Sequence, residues 1–78
     1  MSFPVIVREI TQTCFACPSQ WEGTTSDGSR IYVRFRHGYL RIDVNGTTVH
    51  GSSQSGDGVM SYDELRRITA HLFVWPAQ

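Results

Sequence analysis

The residues best suited to bind a partner gather in one stretch, R-I-Y-V-R-F-R-H-G-Y-L-R, at positions 30–41. Apolar and polar residues alternate along it, as in a strand with one buried and one exposed face. Its polar strand positions hold only arginine and tyrosine: Arg30, Tyr32, Arg34, Arg36, Tyr39 and Arg41. These two residue types are enriched at the energetically important positions of protein interfaces. The pattern therefore predicts a partner-binding face, with an ordinary solvated surface as the alternative.

The histidines and carboxylates do not form a recognisable catalytic set. His37 falls in a turn, His50 beside the arginine stretch, and His71 in a helical stretch. This spacing does not bring a nucleophile, a base and an orienting group together. Asp63 and Glu64 are explained by the start of a helix, where acidic residues are favourable. We expect no enzymatic activity and no cofactor.

Two cysteines, Cys14 and Cys17, stand in the motif C-F-A-C and allow three interpretations. A zinc site needs about four ligands, and the three histidines have no metal-like spacing to complete one. A thioredoxin-type redox pair opens a helix, but no helical pattern follows Pro18. We expect reduced, mostly buried cysteines and no metal, with the metal-bound and redox pairs as the alternatives.

The length and charge limit the class of protein. A chain of 78 residues makes one domain, here residues 1–78. Seven arginines, without a lysine, balance seven acidic residues, which argues against an acidic DNA mimic and a generic polyanion binder. No apolar run approaches the roughly 18 residues of a membrane span, and no secretory signal is visible. We expect a cytoplasmic protein without a membrane segment.

Residues 3–50 have the composition of a β-rich region. Val and Ile predict a first strand at Phe3–Thr11, and a later strand is expected at Gln20–Thr25. Cys14–Pro18 is either a second short strand or an irregular link. An antiparallel meander of four or five strands follows from this division.

The central hairpin turns at His37-Gly38, where glycine supplies a positive φ. One face then pairs Phe35 with Leu40, Val33 with Ile42 and Ile31 with Val44. The other face pairs Arg36 with Tyr39, Arg34 with Arg41 and Tyr32 with Asp43. A slip by one residue would place polar side chains in the core, so this register is strongly specified. Glu22 and Asp43 are expected to relieve the repulsion between Arg34 and Arg41.

The neighbouring strands extend this register. A three-residue loop at 27–29 puts Trp21 opposite Phe35 and Glu22 opposite Arg34. Asn45-Gly46 is the strongest hairpin signal in the chain. It puts Val49 opposite Ile42 and His50 opposite Arg41. The core is expected to contain Trp21, Phe35, Ile42 and Leu72.

The last third of the chain predicts a flexible loop at residues 51–60 and one helix at residues 61–74. Ser61 and Glu64 form a capping box, and Met60 and Leu65 are placed for a hydrophobic staple. Helical spacing puts an apolar stripe on the inner side: Leu65, Ile68, Thr69, Leu72 and Phe73. Arg66, Arg67 and Ala70 should point outward. The predicted fold is therefore α+β, with the C-terminal helix packed on one face of the sheet.

At C-P-S-Q-W-E-G and Y-V-R-F-R-H-G-Y-L-R the chain resembles the compact type I anti-CRISPR proteins, small proteins of phages and other mobile elements. The resemblance covers Cys17 to Arg41. It implies a non-enzymatic inhibitor that docks on a type I CRISPR-Cas surveillance complex and blocks DNA binding. The arginine and tyrosine residues would then form the docking surface. Because these families share no common signature, the resemblance assigns no role to any single residue.

We therefore expect a small protein-binding inhibitor. The alternative is a module that binds single-stranded nucleic acid on the same face, since exposed antiparallel sheets with aromatic and basic residues can stack bases.

Overall fold

The computed structural model describes residues 3–15, 19–54 and 59–77. Within them the chain forms one sheet and one short helix, which confirms the α+β class. The strands are β1 (Val5–Phe15), β2 (Ser19–Thr25), β3 (Arg30–Arg36), β4 (Tyr39–Val44), β5 (Thr47–Ser53) and β6 (Phe73–Val74), and helix α1 (Tyr62–Ile68) precedes β6.

The sheet has six strands in the order β5-β4-β3-β2-β1-β6, so the prediction of four or five strands is wrong. Strands β1 to β5 form the expected antiparallel meander. The additional strand, β6, pairs in parallel with the start of β1, through Val5 with Phe73 and Ile6 with Val74. A two-residue strand has no periodicity of its own, so only its distant partner reveals it.

Several strand boundaries differ from the predicted ones. β1 starts and ends later than predicted, and it includes Cys14 and Phe15. Residues 16–18, which hold Cys17, lie outside the described residues, as does the 55–58 portion of the predicted loop. β5 continues to Ser53, so the β-rich part extends beyond residue 50 and the predicted loop starts too early.

The register of β3 with β4 is confirmed at all six predicted pairs. The turn residues His37 and Gly38 have φ values of 54° and 76°, and Asn45 and Gly46 in the next turn have 51° and 81°. Such positive values are typical of the two-residue turns that match strand twist. The hairpin therefore has its apolar side chains in the core and its arginines on the opposite face.

The register of β2 with β3 is shifted by two residues from the predicted one. Trp21 lies opposite Val33, and Glu22 lies opposite Tyr32 instead of Arg34. The turn closes where the Thr25 N–H donates to the Ser29 carbonyl at 2.8 Å. A shift of two residues preserves the side of the sheet, so Trp21 is still fully buried.

The register of β4 with β5 also differs, because β5 contains a bulge. Ile42 lies opposite His50 and Arg41 lies opposite Gly51, with the irregularity between Ile42 and Asp43. Val49 is the extra residue, and it packs partly buried against the core. The bulge puts Gly51 beside Arg41 where His50 was expected.

The core is built from the inner faces of the strands. Trp21, Phe35 and Ile42 are buried as predicted, whereas Leu72 is only partly buried and that prediction is wrong. The remaining buried apolar residues are Val7, Ile31, Val33, Leu40, Val44, Met60, Leu65, Phe73 and Trp75.

The helix begins where predicted and ends early. The Ser61 hydroxyl accepts a hydrogen bond from the Glu64 N–H at 3.1 Å, which confirms Ser61 as the N-cap. The helix ends at Ile68, so the predicted end at 74 is wrong. Phe73 and Val74 leave the helix because aromatic and β-branched residues suit a strand and β1 offers them a partner. Leu65 is the buried residue of α1 and belongs to the core, while packing of the whole helix across one sheet face stays a prediction.

Candidate partner-binding surface

The six predicted contact residues lie on the polar side of β3 and β4, and we call them the Arg–Tyr face. They are Arg30, Tyr32, Arg34, Arg36, Tyr39 and Arg41. Strand alternation places them opposite the core residues of the same two strands. The side chains of Tyr32, Arg34 and Arg41 are partly buried, and the other three are exposed. Solvent therefore reaches all six side chains.

The structure brings four of these residues together and leaves two apart. An open pocket of about 210 Å³, the arginine pocket, is lined by Arg34, Arg36, His37, Tyr39 and Arg41. Arg30 lies at the other end of β3, six residues from Arg36, which is about 20 Å at roughly 3.3 Å per residue. The face thus has one concave cluster and one distant arginine.

Tyr32 is held within the face by its own hydrogen bond. Its hydroxyl donates to the Gln20 side-chain oxygen at 2.9 Å. The Tyr32 side chain is partly buried. Tyr39, which is 48% exposed, therefore offers more free aromatic surface than Tyr32 does.

Arg34 and Arg41 are direct cross-strand partners, and their charges are only partly compensated. Arg41 Nε lies 3.5 Å from Asp43 Oδ1, which also accepts a hydrogen bond from Thr48 at 2.8 Å. Among the described residues Arg34 has no ion pair, since Glu22 lies opposite Tyr32. Of the two carboxylates predicted to offset the repulsion, only Asp43 forms an ion pair with either arginine among the described residues. The pocket therefore retains an excess of positive charge.

The guanidinium groups of Arg34 and Arg41 rest on the sheet with one nitrogen covered. Each Nε is shielded from solvent and has no hydrogen-bond partner among the described residues. The 3.5 Å contact of Arg41 with Asp43 is an ion pair longer than an ordinary hydrogen bond. Contact with a partner is therefore left to the terminal Nη atoms of both side chains.

Two residues of this site were not predicted. His37 lines the arginine pocket from the turn. Gly51 lies beneath Tyr39, and a Cβ at position 51 would overlap with the Tyr39 hydroxyl. Because the bulge at Val49 decides which residue lies there, the Asn45-Gly46 turn alone could not reveal Gly51.

Among the described residues, the other titratable side chains do not line this pocket. His50 is partly buried, and its Nε2 is 3.1 Å from Ser52 Oγ. Burial lowers the pKa of His50 below its ordinary value of 6.5, and the nearby His71 lowers this pKa further. In the described part of the chain, no three His, Cys, Asp or Glu side chains are placed to hold a metal ion. Cys14 is a partly buried free thiol, and Cys17 lies outside the described residues.

Comparison with protein-family models, with curated proteins and with solved structures gives no match. Across the described ranges, no helix is long and apolar enough to span a membrane. Any functional argument therefore depends on the chemistry of the Arg–Tyr face.

Proposed function

We propose that this chain is a small, non-enzymatic inhibitor that binds a protein partner through the Arg–Tyr face. The arginine pocket carries this proposal, because three arginines line it and no carboxylate does. Like charges directly opposite each other destabilise a sheet, so the Arg34–Arg41 pair costs free energy in the unbound chain. Acidic groups of a partner would offset that cost on binding.

The position of Tyr39 supports a protein partner. Its exposed ring stands at the edge of the arginine pocket and contributes apolar area beside charged donors. Aromatic and arginine side chains that are close together typically form the energetic centre of a protein interface. We also propose that α1 covers the apolar side of the sheet, which the burial of Leu65 supports. That arrangement leaves the Arg–Tyr face free.

The resemblance to type I anti-CRISPR proteins extends this proposal to a specific partner. It spans residues 17–41, which include β2, β3 and the start of β4, and so falls on the strands that carry the face. The proposed partner is a type I CRISPR-Cas surveillance complex in the bacterial cytoplasm. Binding through the Arg–Tyr face would block access of DNA to that complex.

The first experiment captures partners from a bacterial host lysate and identifies them by mass spectrometry. The wild-type chain is compared with Arg34→Glu and Arg41→Glu, which reverse charge inside the arginine pocket. Arg67→Glu is the matched control, because Arg67 is exposed on α1 and has no ion pair among the described residues. We expect a partner that both pocket variants lose and the control retains, since charge reversal removes contacts and adds repulsion. Retention by all three variants would show that the face is only a solvated surface.

The second experiment tests the anti-CRISPR proposal directly. A purified type I surveillance complex is mixed with its DNA target and increasing amounts of the chain, and DNA binding is followed by gel shift. We expect DNA binding to fall with the wild-type chain and to persist with Arg34→Glu. Unchanged DNA binding at saturating wild-type chain would exclude this partner while leaving the proposal of another protein partner open to the capture experiment.

A nucleic-acid ligand is the second candidate, favoured by one observation: Tyr39 is exposed beside arginines on an antiparallel sheet. Such surfaces stack single-stranded bases on aromatic rings and bind the backbone through basic groups. The dependence of affinity on salt separates the two candidates. For a single-stranded ligand, the logarithm of the affinity should fall steeply with the logarithm of the salt concentration. The slope should decrease by about one unit for each phosphate-contacting arginine removed. A protein partner should show a shallower fall.

A further inference from the structure

The arginine pocket has the features of a small anion site. Three guanidinium groups and His37 surround it, and Tyr39 forms a wall. No acidic residue is among the residues that line it. Guanidinium groups match carboxylates and phosphates because their planar donors form two parallel hydrogen bonds. The pocket is therefore suited to one small negatively charged group.

The backbone holds two of these guanidinium groups close together. Arg34 and Arg41 occupy paired positions of β3 and β4, where Cβ atoms are about 4.5–5.5 Å apart. With each Nε covered, the Nη atoms supply the free donors. An anion between the two side chains would replace their mutual repulsion by two attractions. The side chain of Arg41 is 41% exposed, so a ligand can reach it from solvent.

Gly51 fixes the position of the aromatic wall. A side chain at position 51 would overlap with the Tyr39 hydroxyl, so the ring lies over the bare backbone of β5. Tyr39 lies two residues before Arg41 on β4, and Gly51 on β5 is paired with Arg41, so the ring over Gly51 lies beside Arg41. The absence of a side chain at Gly51 therefore shapes the pocket without contributing charge.

The pocket is open and small. Its volume of about 210 Å³ is below the roughly 300–1,000 Å³ of clefts that enclose drug-sized ligands, so it accommodates one charged group and does not enclose a whole ligand. A side-chain carboxylate with its short apolar stem fits a site of this kind. The stem would contact Tyr39 while the carboxylate meets Arg34 and Arg41.

We infer that the arginine pocket binds a side-chain carboxylate from an acidic segment of the protein partner, with Gly51 and Tyr39 setting its shape. This inference rests on the proposed function and names the element of the partner that enters the site. Arg34 and Arg41 bind the carboxylate through their Nη atoms. Arg36 and His37 line the site on the side of the turn.

The experiment uses a fluorescein-labelled peptide of six consecutive glutamates, with a hexaglutamine peptide as the neutral control. Binding to the full chain is measured by fluorescence anisotropy. Arg34→Gln and Arg41→Gln should each weaken binding of the glutamate peptide by about tenfold or more, the scale of a lost charge-assisted hydrogen bond. Arg67→Gln removes the same charge from α1 and should change the affinity by less than about twofold, as for an exposed charge screened by salt.

The variant Gly51→Ala separates a shaped site from general attraction. It keeps every charge and displaces the Tyr39 side chain, so it should weaken binding severalfold, as should Tyr39→Ala. Circular dichroism and thermal unfolding establish that each variant is folded. Equal effects of Arg34→Gln and Arg67→Gln, together with unchanged binding by Gly51→Ala and Tyr39→Ala, would overturn the inference.

Three further outcomes separate this inference from its alternatives. An oligothymidylate that displaces the glutamate peptide, and whose binding depends on Arg34 and Arg41, would overturn the inference in favour of nucleic acid. A lysate partner that Arg34→Glu loses, combined with equal binding of glutamate and glutamine peptides, would overturn the inference and support the proposed function. Specific glutamate-peptide binding with no partner lost by Arg34→Glu would support the pocket and contradict the proposed function.

Discussion

Arg34 and Arg41 face each other across β3 and β4, but only Arg41 has a carboxylate beside it among the described residues. The pair is therefore chemically unequal, although the two residues occupy equivalent places in the strand pattern. An Arg34 substitution changes one electrostatic interaction in this cluster, whereas an Arg41 substitution changes two. This difference should be measurable in the free energy of unfolding.

Arg34→Glu should stabilise the unbound chain by about 0.2–1 kcal/mol, because it converts a repulsive cross-strand pair into an attractive one. Arg41→Glu gains the same attraction but loses the contact with Asp43 and places a second carboxylate near it. We therefore expect Arg41→Glu to be less stable than Arg34→Glu in urea unfolding at low salt. Equal stabilities, or the reverse order, would show that the contact between Arg41 and Asp43 does not stabilise the chain. An Arg34→Glu variant no more stable than the wild type would show that the two arginines do not repel each other as the register implies.

His50 should make the stability depend on pH. Burial, followed by the influence of His71, lowers the pKa of His50 in the folded chain below 6.5, so folding favours the neutral ring. The unfolded chain then binds more protons between the two pKa values. This stabilisation is fully present above about pH 6.5, the ordinary histidine value, and is lost as the pH falls below it.

Thermal unfolding from pH 8 to pH 5 tests this dependence. His50→Gln should reduce the loss of stability below about pH 6.5, the ordinary histidine value, since it removes the titrating ring. His71→Gln should reduce that loss only in part, because burial, the larger cause, remains. If the pH profiles of wild type and His50→Gln coincide, the ring is not held neutral by the fold.

At the scale of the elements, the meander depends on close approach between β1 and β2. β1 has two register irregularities against β2, between Val7 and Glu9 and between Gln12 and Cys14. Gly23 lies opposite Ile10 near the first of these, and a Cβ there would overlap with the Glu9 carbonyl oxygen. The β1 bulge and the missing side chain at Gly23 are therefore parts of one arrangement.

Gly23→Ala should destabilise the fold by about 1–3 kcal/mol or more, because the overlapping atom belongs to the backbone and cannot rotate away. Gly51→Ala is the matched control, since there the neighbouring atom is the mobile end of Tyr39. Its cost should stay within about 0.5 kcal/mol, as at most surface positions. Chemical denaturation of both variants measures the difference, and equal costs would contradict the close approach at Gly23.

For the molecule as a whole, the arrangement of charge matters more than its sum. The net charge is zero, yet four of the seven arginines lie between positions 30 and 41, on one face of two strands. Long-range attraction to polyanions scales with the overall field, whereas a local cluster acts at contact distance. This distribution supports the proposal that the chain recognises a local acidic feature and does not bind polyanions generally.

The small size of the domain makes its core sensitive to single truncations. A chain of 78 residues is expected to have only about 4–12 kcal/mol of stability, from roughly 0.05–0.15 kcal/mol per residue. Ile42 is fully buried on β4, between β3 and β5. Ile42→Ala should cost about 2–5 kcal/mol, a large share of that total.

Urea unfolding measures this cost, with Ile6→Ala as the control. Ile6 is 52% exposed on β1, so its truncation should cost less than about 0.5 kcal/mol. A similarly small cost for Ile42→Ala would contradict the burial of this β4 side chain in the core.

Local patterns were enough to predict the central hairpin and the helix start. Alternation along residues 31–44 specifies the β3–β4 register, because a slip by one would exchange the two faces. The His37-Gly38 and Asn45-Gly46 turns depend on positive φ, a steric property of the turn residues themselves. Ser61 caps the helix through atoms only three residues away. These features are encoded within short windows, so the sequence by itself determined them and the six members of the Arg–Tyr face.

The tertiary structure decided the features that depend on distant partners. Phe73 and Val74 form a strand only because β1 lies beside them, and this pairing ends the helical stretch early. The bulge at Val49 lets that side chain pack on the core, and it moves Gly51 under Tyr39. No sequence window contains both members of these contacts at a characteristic spacing. The shape of the arginine pocket was therefore beyond the sequence pattern, because burial and strand pairing across the whole sheet set it.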